Sequence, residues 1–295
     1  MRSLNIEFSN NLVRVLQLNK SKEIILNEEI ELGFNIDDVN YIKKNKKEAV
    51  SIFSEKFSEL NLNETNTEEN ACVLLNTSQS FLNVIPVDFN EEKNNIDSHI
   101  LWDLSNYFPD TYKDYIIKYY RLNNNYLNEK IDEVLLIAVD KNRVDVIKNL
   151  CNGIGFKIVN IDIDQFAVEK CLKENYSGEF TEQNILLIGF KDSRIDFSLI
   201  SKGKIRYYDF QNPGKANFKI LIEKQIEFLT SVFSEIKIEQ AFIYGTEKSI
   251  NVQNFINEEL KIFPATIINP SKINSSEVSQ SRYAPLYGLA LKNFS

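Results

Sequence analysis

Apolar and polar positions alternate at the start of the chain: Leu4, Ile6 and Phe8, then, after the polar break "SNN", the run Leu12 to Leu18, and a third run in "KEIILNEEIEL". Successive strand side chains point to opposite faces, so this pattern predicts two or three antiparallel strands joined by tight turns. The period then lengthens. Val50, Phe53, Phe57 and Leu60 recur at helical spacing and predict an amphipathic helix. A polar, asparagine-rich loop follows, and "ACVLLN" reads as a buried strand. "DSHILWDLSNYF" predicts a helix with Ile100, Leu101 and Leu104 facing inward, stopped by Pro109, and "YIIKYYRL" predicts the next strand.

Further on, "DEVLLIAVD", "RVDVIKNLCNGIG" and "FKIVNIDI" read as strand, helix and strand, which suggests a small α/β subdomain inside the first half. The helix "DQFAVEKCLKENY" leads into "NILLIGFKDSRIDFSLISKGKIRYYDF", an apolar run, a single glycine, a short polar loop and an alternating strand. "SGEF" and "GIG" read as turns. The remainder predicts a long amphipathic helix in "FKILIEKQIEFLTSVFSEI", a strand "QAFIYG", a helix "VQNFINEEL", a strand "PATIIN" and a short apolar helix in "YAPLYGLALKNF". Two portions therefore share a plan of strand, tight loop and strand: "LNIEFSNNLVRVLQL" and "ILLIGFKDSRIDFSLI".

Composition narrows the function classes. A chain of 295 residues is long enough for two lobes. Its formal net charge of -8 and the lack of a long basic stripe argue against nucleic acid and leave a protein or small-molecule partner. The N-terminal segment lacks the continuous apolar centre of a signal peptide. The runs "VLLIAV" and "ILLIGF" are far shorter than the roughly 20 residues that span a bilayer. The expectation is a cytoplasmic protein without direct membrane insertion. Cys72, Cys151 and Cys171 sit in apolar contexts and read as buried reduced thiols. His99 is the sole histidine and reads as a helix-surface residue, and the cysteines match no zinc spacing, so neither a metal site nor catalytic residues are predicted.

The order and spacing of "VIPVDF", "ILWDLSNYFP", "EVLLIAVDKNRVDVIKNLCNGIGFKIVNIDIDQFAVEKCL" and "APLYGLALK" resemble the type IV pilus assembly protein PilM family of the actin-like superfamily. The resemblance runs from end to end. It implies an α/β, actin-like (ribonuclease H-like) fold of two lobes, residues 1–178 and 179–295. A small α/β subdomain is inserted at about 84–162, and the C-terminal helix returns to the first lobe. It implies a cytoplasmic protein held at the inner membrane through partners, namely the tail of a PilN-like membrane protein and other pilus or secretion platform proteins. The peptide would lie in a groove of the first lobe. The aromatic segment Trp102 to Tyr120 is either part of that neighbourhood or a core beneath the inserted subdomain.

In active relatives the duplicated hairpins hold ATP with Mg2+. The positions that align with their motifs are Glu7, Ser9 and Arg14 in the first loop, Asp162 in the acidic pair, Gly189 and Ser193 in the second loop, Gly214 after it, and Gly245 on the adenosine side. Four departures stand out. Ser9 replaces a glycine and restricts close backbone approach to a phosphate. Leu187 replaces a carboxylate that would position hydrated magnesium. The later glycine motifs are reduced to Gly214 and to Gly245-Thr246. Asp164 reads as a helix N-cap or, with Asp162, as a remnant of the acidic pair, and Arg14 as a ligand or an exposed strand residue. These readings favour a non-hydrolysing scaffold and leave open an ATP-binding protein acting as slow ATPase, switch or filament former.

Overall fold

The computed structural model describes residues 4–60, 70–90, 92–122, 131–214, 217–270 and 278–292. The predicted asparagine-rich loop and the Lys215-Ala216 pair of "NPGKAN" lie outside them. Two compact units are present, one of residues 1–120, 134–168 and 285–295, the other of 121–133 and 169–284.

The chain runs β1 (Leu4–Ser9), β2 (Leu12–Leu18), β3 (Ile24–Glu31), α1 (Val39–Lys44), α2 (Lys46–Ser58), β4 (Asn70–Leu75), β5 (Phe81–Asp88), α3 (Lys93–Tyr107), β6 (Tyr115–Arg121), β7 (Ile131–Asp140), α4 (Lys141–Gly153) and β8 (Lys157–Ile163). It continues through α5 (Asp164–Asn175), α6 (Ser177–Glu182), β9 (Asn184–Phe190), β10 (Ile195–Ser201), β11 (Lys204–Gln211), α7 (Phe218–Val232), β12 (Gln240–Gly245), α8 (Ser249–Asn254), β13 (Ala265–Ile267) and α9 (Ala284–Lys292).

In the first unit the strands order β3-β2-β1-β4-β8, antiparallel through the opening meander and parallel from β1 to β4 to β8. Alternation along β1 sends Phe8 to the face covered by α2. There Phe8, Phe53, Phe57 and Phe156 form a column with successive ring centroids 5.8, 5.6 and 5.9 Å apart. Glu7 falls on the opposite face. α2 and α4 approach closely because Gly153 has no side chain: a Cβ there would lie 2.4 Å from Val50 Cγ1. Gly155, at φ +82°, turns the chain from α4 into β8, so of "GIG" Ile154 and Gly155 form the expected turn while Gly153 closes α4.

The small sheet β5-β7-β6 packs under α3. Ile96, Ile100 and Leu104, spaced at i, i+4 and i+8, cover Val134, Leu136 and Ala138 of β7. Leu101 falls outside that stripe and is 41% exposed, contrary to its predicted inward position. The strand expected to complete the small subdomain, β8, pairs instead with β4 in the large sheet, because its apolar residues match the parallel edge that β4 leaves open.

The second unit repeats the arrangement as β11-β10-β9-β12-β13, again antiparallel in its first three strands and parallel from β9 to β12 to β13. Leu186, Ile188 and Phe190 of β9 share a core with Ile222, Ile226 and Leu229 of α7. Truncating one such residue to alanine costs about 2–5 kcal/mol. "SGEF" is helical in α6 rather than a turn, since Phe180 is buried and anchors it. All three cysteines are buried free thiols, and burial pushes Cys151 up to about 12. No helix among the described residues is long and apolar enough to cross a membrane.

Candidate functional site

The first hairpin turns through Asn10, which takes the left-handed φ of 53°. Ser9 is therefore the last residue of β1 and makes no left-handed turn itself. The turn is braced from a distance. Asp37 accepts from Asn10 N at 3.3 Å, from Gln79 Nε2 at 2.8 Å and from Arg143 at 2.5 Å, and Gln79 Nε2 also donates to Phe8 O at 2.9 Å.

Strand register aligns Glu29, Arg14, Glu7, Leu74 and Asp162 in one row across the sheet, and directly opposed side chains share a face. Arg14 is held between two carboxylates, with Nε 2.8 Å from Glu29 and Nη1 3.3 Å from Glu7, so it does not lie on an exposed strand face. Glu7 is 5% exposed, and its Oε2 has no hydrogen-bond partner among the described residues. Asp162 stands two strands away, about 9–10 Å in the hydrogen-bonding direction, and is bound by Lys292 at 2.5 Å. The sheet thus brings Glu7, Arg14 and Asp162 to one face without joining the two acids. Asp164 is the first residue of α5 and is buried. Its Oδ1 accepts from Gln165 N at 2.7 Å and Thr77 N at 3.1 Å, tying the turn after β4 to the start of α5 in addition to any capping role.

In the second hairpin Gly189 lies inside β9, opposite Asp196 and beside Tyr244, so the turn is made by Lys191 to Arg194 and not by the glycine. Lys191 N donates to Arg194 O at 3.0 Å, and Ser193 is exposed at the tip. Asp196 is fully buried. It is gripped by Lys191 Nζ at 2.6 Å, Arg194 Nε at 2.9 Å and the Tyr208 hydroxyl at 2.6 Å, while the Arg194 guanidinium lies 3.6 Å over the Phe210 ring. Burial alone would raise the Asp196 pKa, but the ammonium of Lys191 and the guanidinium of Arg194 hold it below its ordinary value. Burial and the neighbouring Asp196 carboxylate push Tyr208 well up.

Leu187 is fully buried between Ser198 and Phe242. Gly245 has φ +126°, and a Cβ there would come within 2.0 Å of Phe190 O; the glycine serves the contact between β12 and β9. Gly214, at φ +51°, has open space around it. The Lys191, Arg194, Asp196 and Tyr208 cluster was missed from sequence. Its signal was a charge inside the apolar run "RIDFSLI", which demands a buried partner.

A second feature of the first unit is a groove of about 220 Å³ between β6 and β8, each the outermost strand of its sheet. Ile116, Tyr120 and Val159 line it and are 42%, 41% and 54% exposed. Lys118 and Asp162 supply its charges. Tyr120 stacks on Phe166 at 5.6 Å. The aromatic segment Trp102 to Tyr120 therefore divides. Phe108 and Tyr115 pack beneath the small sheet, Tyr120 faces the groove, and Trp102 is exposed on α3 near His99, which is itself on the helix surface as predicted.

The sequence profile of the type IV pilus assembly protein PilM family matches residues 5–240. The chain belongs to the PilM family. A solved PilM-PilN type IV pilus biogenesis complex is similar to it over 100% of this chain and 99% of that one, at 12% identity and a TM-score of 0.70. The cytoplasmic domain of EpsL, an inner membrane component of the Vibrio cholerae type II secretion system, is similar over 99% and 95%, at 10% identity and TM-score 0.56. A Bacteroides thetaiotaomicron protein with an actin-like ATPase fold is similar over 98% and 95%, at 11% identity and TM-score 0.56. No curated protein matches the sequence. The fold is the two-lobed actin-like fold of this family.

Magnesium nucleotide, which the actin-like fold implies, is a poor fit to the second hairpin of this PilM-family chain. Its buried carboxylate, Asp196, is committed to Lys191, Arg194 and Tyr208, and Leu187 offers no oxygen ligand for the metal. In the first hairpin the open Glu7 Oε2 can accept one donor. Among the described residues no three His, Cys, Asp or Glu side chains group so as to hold a metal ion.

Proposed function

We propose that this chain is a scaffold of a type IV pilus or related secretion platform, binding the cytoplasmic tail of a PilN-like membrane protein without hydrolysing ATP. The lobe boundaries at 1–178 and 179–295 and the position at the inner membrane through partners belong to the same reading. The observation that carries it is the groove between β6 and β8. An extended peptide laid along the free edge of β8 gains backbone hydrogen bonds and sets alternate side chains against Ile116, Tyr120 and Val159. The likeness to a PilM-PilN complex supports that occupant.

The test is titration of the full chain with the cytoplasmic tail peptide of a PilN-like membrane protein. Saturable binding is expected, and Val159→Glu removes it while leaving the thermal melt unchanged, because Val159 is 54% exposed. Absence of saturable binding by a folded protein overturns the reading. One observation favours the ATP-binding alternative: Glu7 Oε2 is buried with no hydrogen-bond partner among the described residues and can accept from a metal-bound water or a ribose hydroxyl. Calorimetry with ATP and magnesium separates the two, since the scaffold gives no saturable heat and magnesium-dependent binding by the unmodified chain sinks it.

A further inference from the structure

The corner between α1 and α2 carries Lys43, Lys44, Lys46 and Lys47, all exposed, on a chain whose formal net charge is -8. Half of this run has an ordinary structural explanation. Lys43 and Lys44 lie in the last turn of α1, where cations complement the negative end of the helix. Lys46 and Lys47 open α2, the positive end, where cations are unfavourable and only Glu48 offsets them in the first turn. That placement calls for an external anion.

Next to the lysines is an open hollow of about 270 Å³. Ile42, Val50, Val146 and Leu150 form its apolar floor, and Lys43, Lys46 and Asp145 stand at its rim. Lys43 Nζ donates to Asn142 Oδ1 at 2.6 Å, fixing the corner to the first turn of α4. Cations at the rim of an apolar floor match the headgroup and upper acyl layers of a bilayer. A phosphodiester backbone would leave the floor uncovered. The net negative charge does not veto this, because charges beyond about 10 Å are screened at 0.1 M salt.

Position adds a second argument. α4 contributes Val144 to the peptide groove and Val146 and Leu150 to the hollow, so the two lie on either side of one helix. A helix with its side chains is about 10–12 Å across. On the peptide-scaffold reading, on which this argument rests, a tail held in the groove by a membrane-embedded protein keeps the lysine corner within reach of the bilayer.

We infer that the α1–α2 corner, with Lys43 and Lys46 at the rim of the apolar hollow and Lys44 and Lys47 exposed beside them, is a docking surface for an anionic lipid bilayer. This goes beyond the peptide-scaffold reading, and the two fail separately.

The experiment is co-sedimentation of the full chain, without peptide, with phosphatidylcholine vesicles containing or lacking phosphatidylglycerol. Binding is expected only to the anionic vesicles, weakening with salt. It falls by about fivefold for each of the four lysines changed to Gln. The variant with all four changed keeps a cooperative melt and the tail-peptide affinity. Absence of vesicle binding, equal binding to neutral vesicles, or unchanged binding by the four-lysine variant overturns the proposal, as does tighter lysine-dependent binding to duplex RNA than to vesicles. Loss of peptide binding with lipid binding intact overturns only the scaffold reading.

Discussion

The hairpins β1–β2 and β9–β10 occupy the same place in sheets of the same order, yet they bury their carboxylates differently. In the second, Asp196 is met by Lys191 and Arg194 from its own turn and by Tyr208 from the next strand, so the acid and its neutralising charges are supplied locally. In the first, Glu7 shares Arg14 with Glu29 and keeps one oxygen unpartnered, while the turn is braced by Asp37 and Gln79 from far along the chain. The comparison teaches that two equivalent positions in one fold can be closed by internal charge or left with spare acceptor capacity. The formal charges differ as well: two cations against one carboxylate leave the second cluster with one positive charge, while Arg14 between Glu7 and Glu29 leaves the first with one negative charge.

The largest expected effect is at Gly245. Alanine there meets Phe190 O at 2.0 Å and is held at φ +126°, so Gly245→Ala destabilises by about 4 kcal/mol or more, strain and overpacking together. Circular dichroism melts check this, and a wild-type melt would break the claim that β12 and β9 are locked at this point.

Next is Asp196→Asn. It strands two buried cations and costs about 3 kcal/mol, near the lower end for breaking a buried pair because the amide still accepts hydrogen bonds. The pH dependence sharpens this. The folded pKa is lowered, so the contribution is present in full above the ordinary value of 3.8 and is lost as pH falls through the depressed folded value. Melts of the two proteins should differ by a constant amount at neutral pH and converge below that ordinary value.

The smallest effect is at Glu7. Arg14 retains Glu29, so Glu7→Gln costs about 1 kcal/mol. If it costs as much as Asp196→Asn, the contrast between the two hairpins fails.

Much of the fold was legible because its signals are local. Alternation in "LNIEFSNNLVRVLQL" and the 3.6-residue stripe of Ile96, Ile100 and Leu104 are periodicities that each segment carries by itself. The partner of β8 was not legible. A strand of mixed apolar and polar residues such as "FKIVNIDI" reads alike beside β4 or beside the small sheet, and only the assembled sheet distinguishes them. The candidate residues do not form one constellation. Glu7, Arg14 and Asp162 share one face, but Gly189 stands inside a strand, Ser9 beside the turn, and Lys292, which holds Asp162, is 130 positions away.

The sequence by itself determined the element order, the duplicated hairpins, the buried thiols and the family, because those depend on short-range pattern and on residue types in series. Only the tertiary structure decided which charges cancel. Whether Asp196 is an available ligand or a spent counter-charge depends on Lys191, Arg194 and Tyr208 converging within 3 Å of it in a site without water exposure, and Coulomb energy at that range is fixed by distance and burial, neither of which is written in residue order.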